Sequence, residues 1–355
     1  MQAFLSRAKH ALILFLLTLS LLLSACTLQE PQAPVQPPEG SAFAVHFIDV
    51  GQGDAALVLC DGEAMLIDGG EADQSSKIYA YLQDLGIGHL DYLVATHAHS
   101  DHIGGLSGAL NFATVDTALC PVTSYSSKTF SNLVKYLDEQ EVELTVPSAG
   151  DVFSLGAAQV TVLGPVQDYT DTNDTSLVLM VDYGETSFLF TGDMERTAEA
   201  DLIEAGYDLS ATVLKVGHHG SDTSTSYPFL REVMPQYAVI SVGAGNSYGH
   251  PTEAALSRLR DADVTVYRTD LQGTVICESD GERVAFSTER NAAIQTNPTA
   301  SQTAQPEYYI GNTNSHKVHL PTCPNLPSEK NQARFDTLQE ALDQGYAPCG
   351  TCLGR

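Results

Sequence analysis

Between residues 43 and 288 short apolar runs alternate with glycine, and the runs fall into two groups. In the first, residues 43–50, 55–60 and 64–67 read as strands, and Asp61-Gly62 is a hairpin turn of the kind that needs positive φ. Residues 75–85 place Ile78, Tyr81, Leu82 and Leu85 on one helical face, and residues 90–95 read as a buried strand. In the second group, 159–163, 176–183, 186–191, 211–216 and 237–242 are predicted strands, with helices over 198–205 and 252–261. Two runs of strands with helices between them predict an α/β fold in which two sheets pack face to face under outer helices. Periodicity alone leaves a doubly wound sheet open.

The pattern is different at both ends. Arg7, Lys9 and His10 precede the apolar run 11–23, so residues 1–25 read as a secretory leader. Residues 26–42, with Pro31, Pro34, Pro37 and Pro38, read as an extended tether. A body of domain size spans 43–288, a Thr, Ala, Gln, Ser and Pro-rich linker covers 289–306, and residues 307–355 form a module too small to be held by burial alone.

Charge narrows the function. With 17 Lys and Arg against 44 Asp and Glu, the net charge of −27 argues against non-specific nucleic-acid binding through basic side chains. It leaves open an enzyme that meets phosphate through bound cations. Of seven cysteines, Cys60, Cys120 and Cys277 sit in apolar surroundings and read as buried thiols, while Cys323, Cys349 and Cys352 crowd the C-terminus.

The chemistry centres on Thr96-His97-Ala98-His99-Ser100-Asp101-His102, directly after the predicted strand 90–95. Imidazoles and a carboxylate at alternate positions supply the nitrogen and oxygen donors of two neighbouring divalent cations. Other predicted strands end in similar chemistry. Asp193 in Thr191-Gly192-Asp193 offers two oxygens to bridge cations, and His218-His219 offers a further imidazole. Asp68, before Gly69-Gly70, is placed to orient a ligand histidine. Two cations ~3.5–4 Å apart activate water and stabilise charge on a phosphoryl or carbonyl oxygen. Asp101 or Asp193 would orient that nucleophile, and His250, His219 and Lys215 are the candidates to protonate the leaving group. Asp54, in Gly51-Gln52-Gly53-Asp54, is a candidate support for the site.

IDVGQGDA (48–55), LIDGG (66–70), THAHSDH (96–102), TGDM (191–194), KVGHHGS (215–221) and YGHP (248–251) in this order resemble the metallo-β-lactamase superfamily, and within it the ComEC-like hydrolases. The resemblance covers about 43–286 and implies an αββα sandwich with a dinuclear zinc or manganese centre. It implies that His97 and His99 hold one cation and Asp101 and His102 the other, with Asp193 between them. His218 is preferred to His219 as the last ligand because it shares strand alternation with Leu214 and Val216. The histidine usual between HxHxDH and the bridging aspartate is absent. That region reads Thr172-Asn173-Asp174-Thr175-Ser176, so the His97/His99 pair is one ligand short and Asn173 reads as a supporting residue.

Leu23-Ser24-Ala25-Cys26 resembles a bacterial lipobox. It implies an exported protein held by a lipid on Cys26 at the extracytoplasmic face of the cell membrane. His319, Cys323, Cys349 and Cys352 have the spacing of a structural zinc site, with His316 a rival for His319. Residues 308–352 resemble the metal-binding domain of Ada. The expected function is an exported metal-dependent phosphodiesterase or nuclease acting on DNA or RNA. The alternatives are an esterase or phosphorylcholine-type phosphodiesterase acting on cell-envelope polymers, and a non-catalytic binding protein on the same fold. No feature points to a protein partner.

Overall fold

The computed structural model describes residues 43–298 and 308–353, apart from Thr322, Pro324, Asp336 and Thr351. The expected leader, tether and lipid-bearing Cys26 lie outside the described residues. The chain divides into two compact units at Asn297 and Pro298.

In the first unit one sheet contains β1 (Phe43–Phe47), β2 (Ala56–Cys60), β3 (Glu63–Ile67), β4 (His89–Val94), β5 (Thr114–Leu119) and β6 (Leu144–Thr145). The other contains β7 (Val152–Leu155), β8 (Ala158–Gly164), β9 (Val178–Tyr183), β10 (Thr186–Phe190), β11 (Val213–Lys215), β12 (Tyr237–Ile240) and β13 (Thr265–Arg268). The chain then returns to the first sheet through β14 (Val275–Ser279) and β15 (Val284–Thr288), giving the order β15-β14-β1-β2-β3-β4-β5-β6 against β13-β12-β11-β10-β9-β8-β7. The β2–β3 turn has Asp61 at φ 52° and Gly62 at φ 92°, the left-handed pair its sequence predicts.

Alternation along the strands builds the layers. Phe43, Val45 and Phe47 of β1 face Phe188 and Phe190 of β10 across the inter-sheet core, whereas Leu57 and Leu66 turn outward. Helices at Ser75–Leu85, Leu106–Phe112 and Lys128–Asp138 cover that outer face with Ile78, Leu82, Leu106, Phe130 and Leu133. Helices Arg196–Ala205, Tyr227–Val233 and Glu253–Asp261 cover the other sheet with Leu202, Phe229, Leu230 and Leu259. The result is the αββα sandwich. Cys60 and Cys277 lie in the inter-sheet core and Cys120 under the first helical layer, where burial pushes its thiol up to about 12.

The start of the expected linker is part of this body. Thr296 Oγ1 donates to Val266 O, Asn297 Nδ2 donates to Leu256 O at 3.0 Å, and Arg260 reaches Asn297 Oδ1 at 2.7 Å. Polar composition reads as a linker, but these amides and hydroxyls satisfy strand and helix carbonyls instead.

In the second unit β16 (Tyr309–Asn312), β17 (Lys317–His319), β18 (Gln332–Phe335) and β19 (Ala347–Pro348) form a sheet in the order β18-β16-β17-β19. Among the described residues its buried apolar cluster is Tyr309, Val318, Phe335 and Ala341, a small core for a unit of this length. Beside it His319, Cys323, Cys349 and Cys352 bring one ligand atom each to within 4.8 Å of the others. His316 instead packs at a tilt against Tyr346, with ring centroids 5.1 Å apart. No disulfide joins the described cysteines. The Leu320 amide donates to Cys352 Sγ at 3.4 Å, a backbone bond of the kind that supports a thiolate ligand. Chelating zinc from the purified chain, or substituting Cys349→Ser, is expected to open residues 308–353 to limited proteolysis; continued resistance after chelation would refute a metal-held module.

Candidate metal centre

The site forms where strands stop. Asp68 follows β3, the histidine loop follows β4, Asp193 follows β10, His218 and His219 follow β11, and Ser241 follows β12. Leucine 177 closes the seam, its amide donating to Thr96 O at 2.8 Å, so loops from both sheets meet.

Asp68 is fully buried and left-handed, at φ 58°. Its Oδ1 accepts from the Thr96 amide at 2.8 Å, and its Oδ2 accepts from Thr96 Oγ1 at 2.6 Å and from His102 Nδ1 at 2.8 Å. With Nδ1 held as a donor, His102 turns Nε2 inward, 3.2 Å from Asp193 Oδ2 and with no hydrogen-bond partner. Asp193 Oδ1 is equally buried and unpartnered. His219 Nε2 lies 3.2 Å from Asp101 Oδ2 and 3.5 Å from Asp193 Oδ2, while its Nδ1 faces Ser241 O at 3.0 Å. One ligand atom from each of Asp101, His102, Asp193 and His219 lies within 4.8 Å of the others. Next to them His97 Nε2 and His99 Nδ1 face each other at 3.1 Å, and the His97 and His102 ring centroids are 4.1 Å apart.

Two glycines permit this packing. A Cβ on Gly53 would stand 2.3 Å from Asp101 O, and one on Gly105 would stand 1.9 Å from Gly69 O. Only bare backbone lets loop 51–54 and loop 68–70 lie against the ligand loop.

Burial works against every charge here, and the opposite charges win. It would raise Asp193 and Asp101, but His102 and His219 hold both carboxyls below their ordinary range. It would lower His102 and His219, but the carboxylates hold His102 well above 6.5 and His219 at about 10. The buried carboxylates thus call for positive charge among them, which divalent cations held by these imidazoles and carboxylates would supply. The orphaned His102 Nε2 and Asp193 Oδ1 fit cation ligands in donor type and orientation.

The geometry reverses the choice between His218 and His219. Strand β11 ends at Lys215, and His218 and His219 follow in a 3-10 turn at φ 48° and 53°. Alternation therefore stops before it can assign them. His219 enters the cluster, whereas His218 Nδ1 pairs with Glu195 at 3.1 Å and its Nε2 stays 3.7 Å from Asp193. Lys215 is also displaced from its expected role. Its Nζ is buried against Asp54 Oδ2 at 2.7 Å and donates to Val216 O at 2.8 Å, so it supports the floor instead of reaching a leaving group. Asp54 Oδ1 lies 3.1 Å from His219 Nδ1.

A cavity of about 320 Å³ opens above the cluster, lined by His99, Asp101, Asn173, Asp193, His219 and His250 among others. His250 is half-buried with an unpartnered Nδ1, and Tyr248, 68% exposed, lies over it at 5.8 Å between ring centroids. Sequence reasoning passed over Ser176, whose Oγ accepts from the Asp193 amide at 3.0 Å, and Glu195, which holds His218 and Asn173. Neither carries a ligand signature, and the antiparallel pairing of β9 with β10 brings them together, one just before β9 and the other just after β10. Replacing Asp68→Asn keeps the shape but weakens the hold on His102; calorimetric metal titration is expected to show about 10–100-fold weaker binding, and unchanged affinity would contradict its role.

Known proteins resemble both parts of the chain. Residues 282–353 match the metal-binding domain of Ada. ComE operon protein 3 of Bacillus subtilis is 32% identical over 260 residues, covering 68% of this chain and 34% of that protein. Competence protein ComA of Neisseria gonorrhoeae is 34% identical over 245 residues, covering 68% and 33%. Recombination protein 2 of Haemophilus influenzae is 33% identical over 239 residues, covering 66% and 28%. The chain thus spans about a third of the length of these relatives. Among solved structures, the metallo-beta-lactamase fold protein YhfI from Bacillus subtilis aligns with a TM-score of 0.45 at 13% identity, covering 67% of this chain and 100% of that one. Because residues 48–244, more than half of the chain, match the family profile itself, the chain belongs to the Metallo-beta-lactamase superfamily of metal-dependent hydrolases.

Proposed function

We propose that the chain hydrolyses phosphodiester bonds of a nucleic acid, using two divalent cations, zinc or manganese. The observation that carries this reading is Asp193, whose carboxylate stands among Asp101, His102 and His219 in a cavity shared with His99. Such a pair of cations supplies activated water and charge stabilisation at a phosphoryl oxygen. The chain's own residues do the rest. Asp101 and Asp193 orient the nucleophile from the cavity floor, Asp54 and Ser241 hold the His219 ring at Nδ1, and His250, in the cavity wall, is the donor to the leaving oxygen. Of the candidate proton donors, His250 is the one that lines the cavity without belonging to the cluster.

Two things support nucleic acid as substrate. The relatives are named for competence and recombination. Tyr248 presents an exposed aromatic face at the rim, which suits a base. The net charge of −27 favours instead the esterase or phosphorylcholine-type reading, because little basic surface is available to hold a polyanion. In the nuclease reading binding rests on the cations and on stacking, so it depends only shallowly on salt. We place the enzyme outside the cell, lipid-anchored through Cys26, on the strength of residues 7–26.

The purified chain, supplied with Mn²⁺ or Zn²⁺, is expected to cut single-stranded DNA or RNA as well as bis-p-nitrophenyl phosphate. Tyr248→Ala is expected to weaken nucleic-acid binding by about 1–3 kcal/mol and leave the small diester unaffected. Cleavage of the small diester alone would sink the nuclease reading. No cleavage of either substrate with the site loaded would favour the binding-protein alternative.

A further inference from the structure

The two donor sets are unequal. Asp101, His102, Asp193 and His219 bring one ligand atom each to within 4.8 Å of the others, whereas His97 Nε2 and His99 Nδ1 face each other at 3.1 Å outside that set. The segment that lacks the expected histidine nevertheless runs past that side. Ser176 ties it there: its amide and Oγ donate to Asn173 O at 3.1 and 2.6 Å, its Oγ accepts from the Asp193 amide at 3.0 Å, and the same Oγ is 3.5 Å from His97 Nδ1. One hydroxyl thus fixes Asn173 relative to both His97 and Asp193.

The Asn173 side chain is oriented at its nitrogen end. Its Nδ2 donates to Glu195 Oε1 at 3.3 Å, and that oxygen also accepts from Thr223 Oγ1 at 2.9 Å and lies 3.1 Å from His218 Nδ1. The other end has nothing to meet. Asn173 Oδ1 is buried with no hydrogen-bond partner, and Asn173 lines the same cavity as His99 and Asp193. A buried carbonyl oxygen left in this state is costly unless a ligand satisfies it.

We infer that Asn173 Oδ1 is the oxygen ligand of the His97/His99 cation, standing in for the imidazole this chain lacks. The inference rests on the two-cation reading above. A neutral amide oxygen is a harder and weaker donor than imidazole, so this site binds more loosely than the Asp101/His102/His219 site and prefers Mn²⁺ relative to a three-imidazole site. Glu195 is then a positioning residue, which keeps the amide from flipping.

Manganese titration of the full chain, by calorimetry and by electron paramagnetic resonance, tests this without turnover. The wild type is expected to bind two Mn²⁺ at this centre with unequal affinity and to give an exchange-coupled signal at saturation. Asn173→Ala is expected to weaken the looser site about 10–100-fold, leave the tighter one unchanged, and give the six-line signal of a lone ion. Asn173→His, which restores a nitrogen donor, is expected to keep two sites and favour Zn²⁺ at the looser one. Two wild-type affinities in Asn173→Ala would overturn the inference and leave the two-cation reading intact, as would an Asn173→His variant with unaltered metal preference. A wild type that holds a single Mn²⁺ would overturn both.

Discussion

The site depends on one buried carboxylate. Asp68 accepts from the Thr96 amide, the Thr96 hydroxyl and His102 Nδ1, and so fastens the ligand loop to the end of the strand before it. Burial pushes the Asp68 carboxyl up, and its bonds to His102 and Thr96 recover part of that cost. The left-handed backbone at Asp68 adds strain of roughly 1–3 kcal/mol at a position that surrounding packing must hold. Backbone bonds from Leu177, Gly69 and Asp54 to Thr96, His102 and Asp101 also hold the loop, but Asp68 is the carboxylate that orients the His102 ring.

From that anchor the charge arrangement follows. Asp54, Asp68, Asp101 and Asp193 converge on two imidazoles and one buried ammonium, Lys215. Such a concentration of carboxylate is stable only when positive charge sits among it, whether as protons on His102 and His219 or as cations in their place. Lys215 Nζ lies 2.7 Å from Asp54 Oδ2 while Asp54 Oδ1 lies 3.1 Å from His219 Nδ1, so the ring is held by a carboxylate that has a cationic partner of its own. In the proposed phosphodiester reading the same logic lets an acidic chain meet phosphate, since the local field is set by what binds in the cluster and not by net charge.

Much of this was legible in the chain itself. Phe43, Val45 and Phe47 alternate with polar or oppositely facing residues, which fixes the inner face of the first sheet, and HxHxDH after an apolar strand announces ligands at a strand end. What escaped depended on backbone leaving its regular path. His218 and His219 both adopt left-handed φ, so no periodicity could choose between them. Lys215 looks like any lysine near an active site until Asp54, far away in sequence, is seen to bury it. The strands Thr114–Leu119 and Val275–Ser279 are short and mixed in polarity, and their identity comes from neighbours already in place, His89–Val94 and Phe43–Phe47. Residues 289–297 look like a linker because their side chains are polar, yet those side chains satisfy carbonyls of the body.

The central claim is that two cations share Asp193 between unequal donor sets. Anomalous diffraction from crystals of the chain grown with Mn²⁺ tests it most directly. The account predicts two manganese peaks ~3.5–4 Å apart, one beside His97 and His99 and the other among Asp101, His102 and His219, with Asp193 between them. A single peak at that centre, or a second peak nearer His218 than His219, would contradict it.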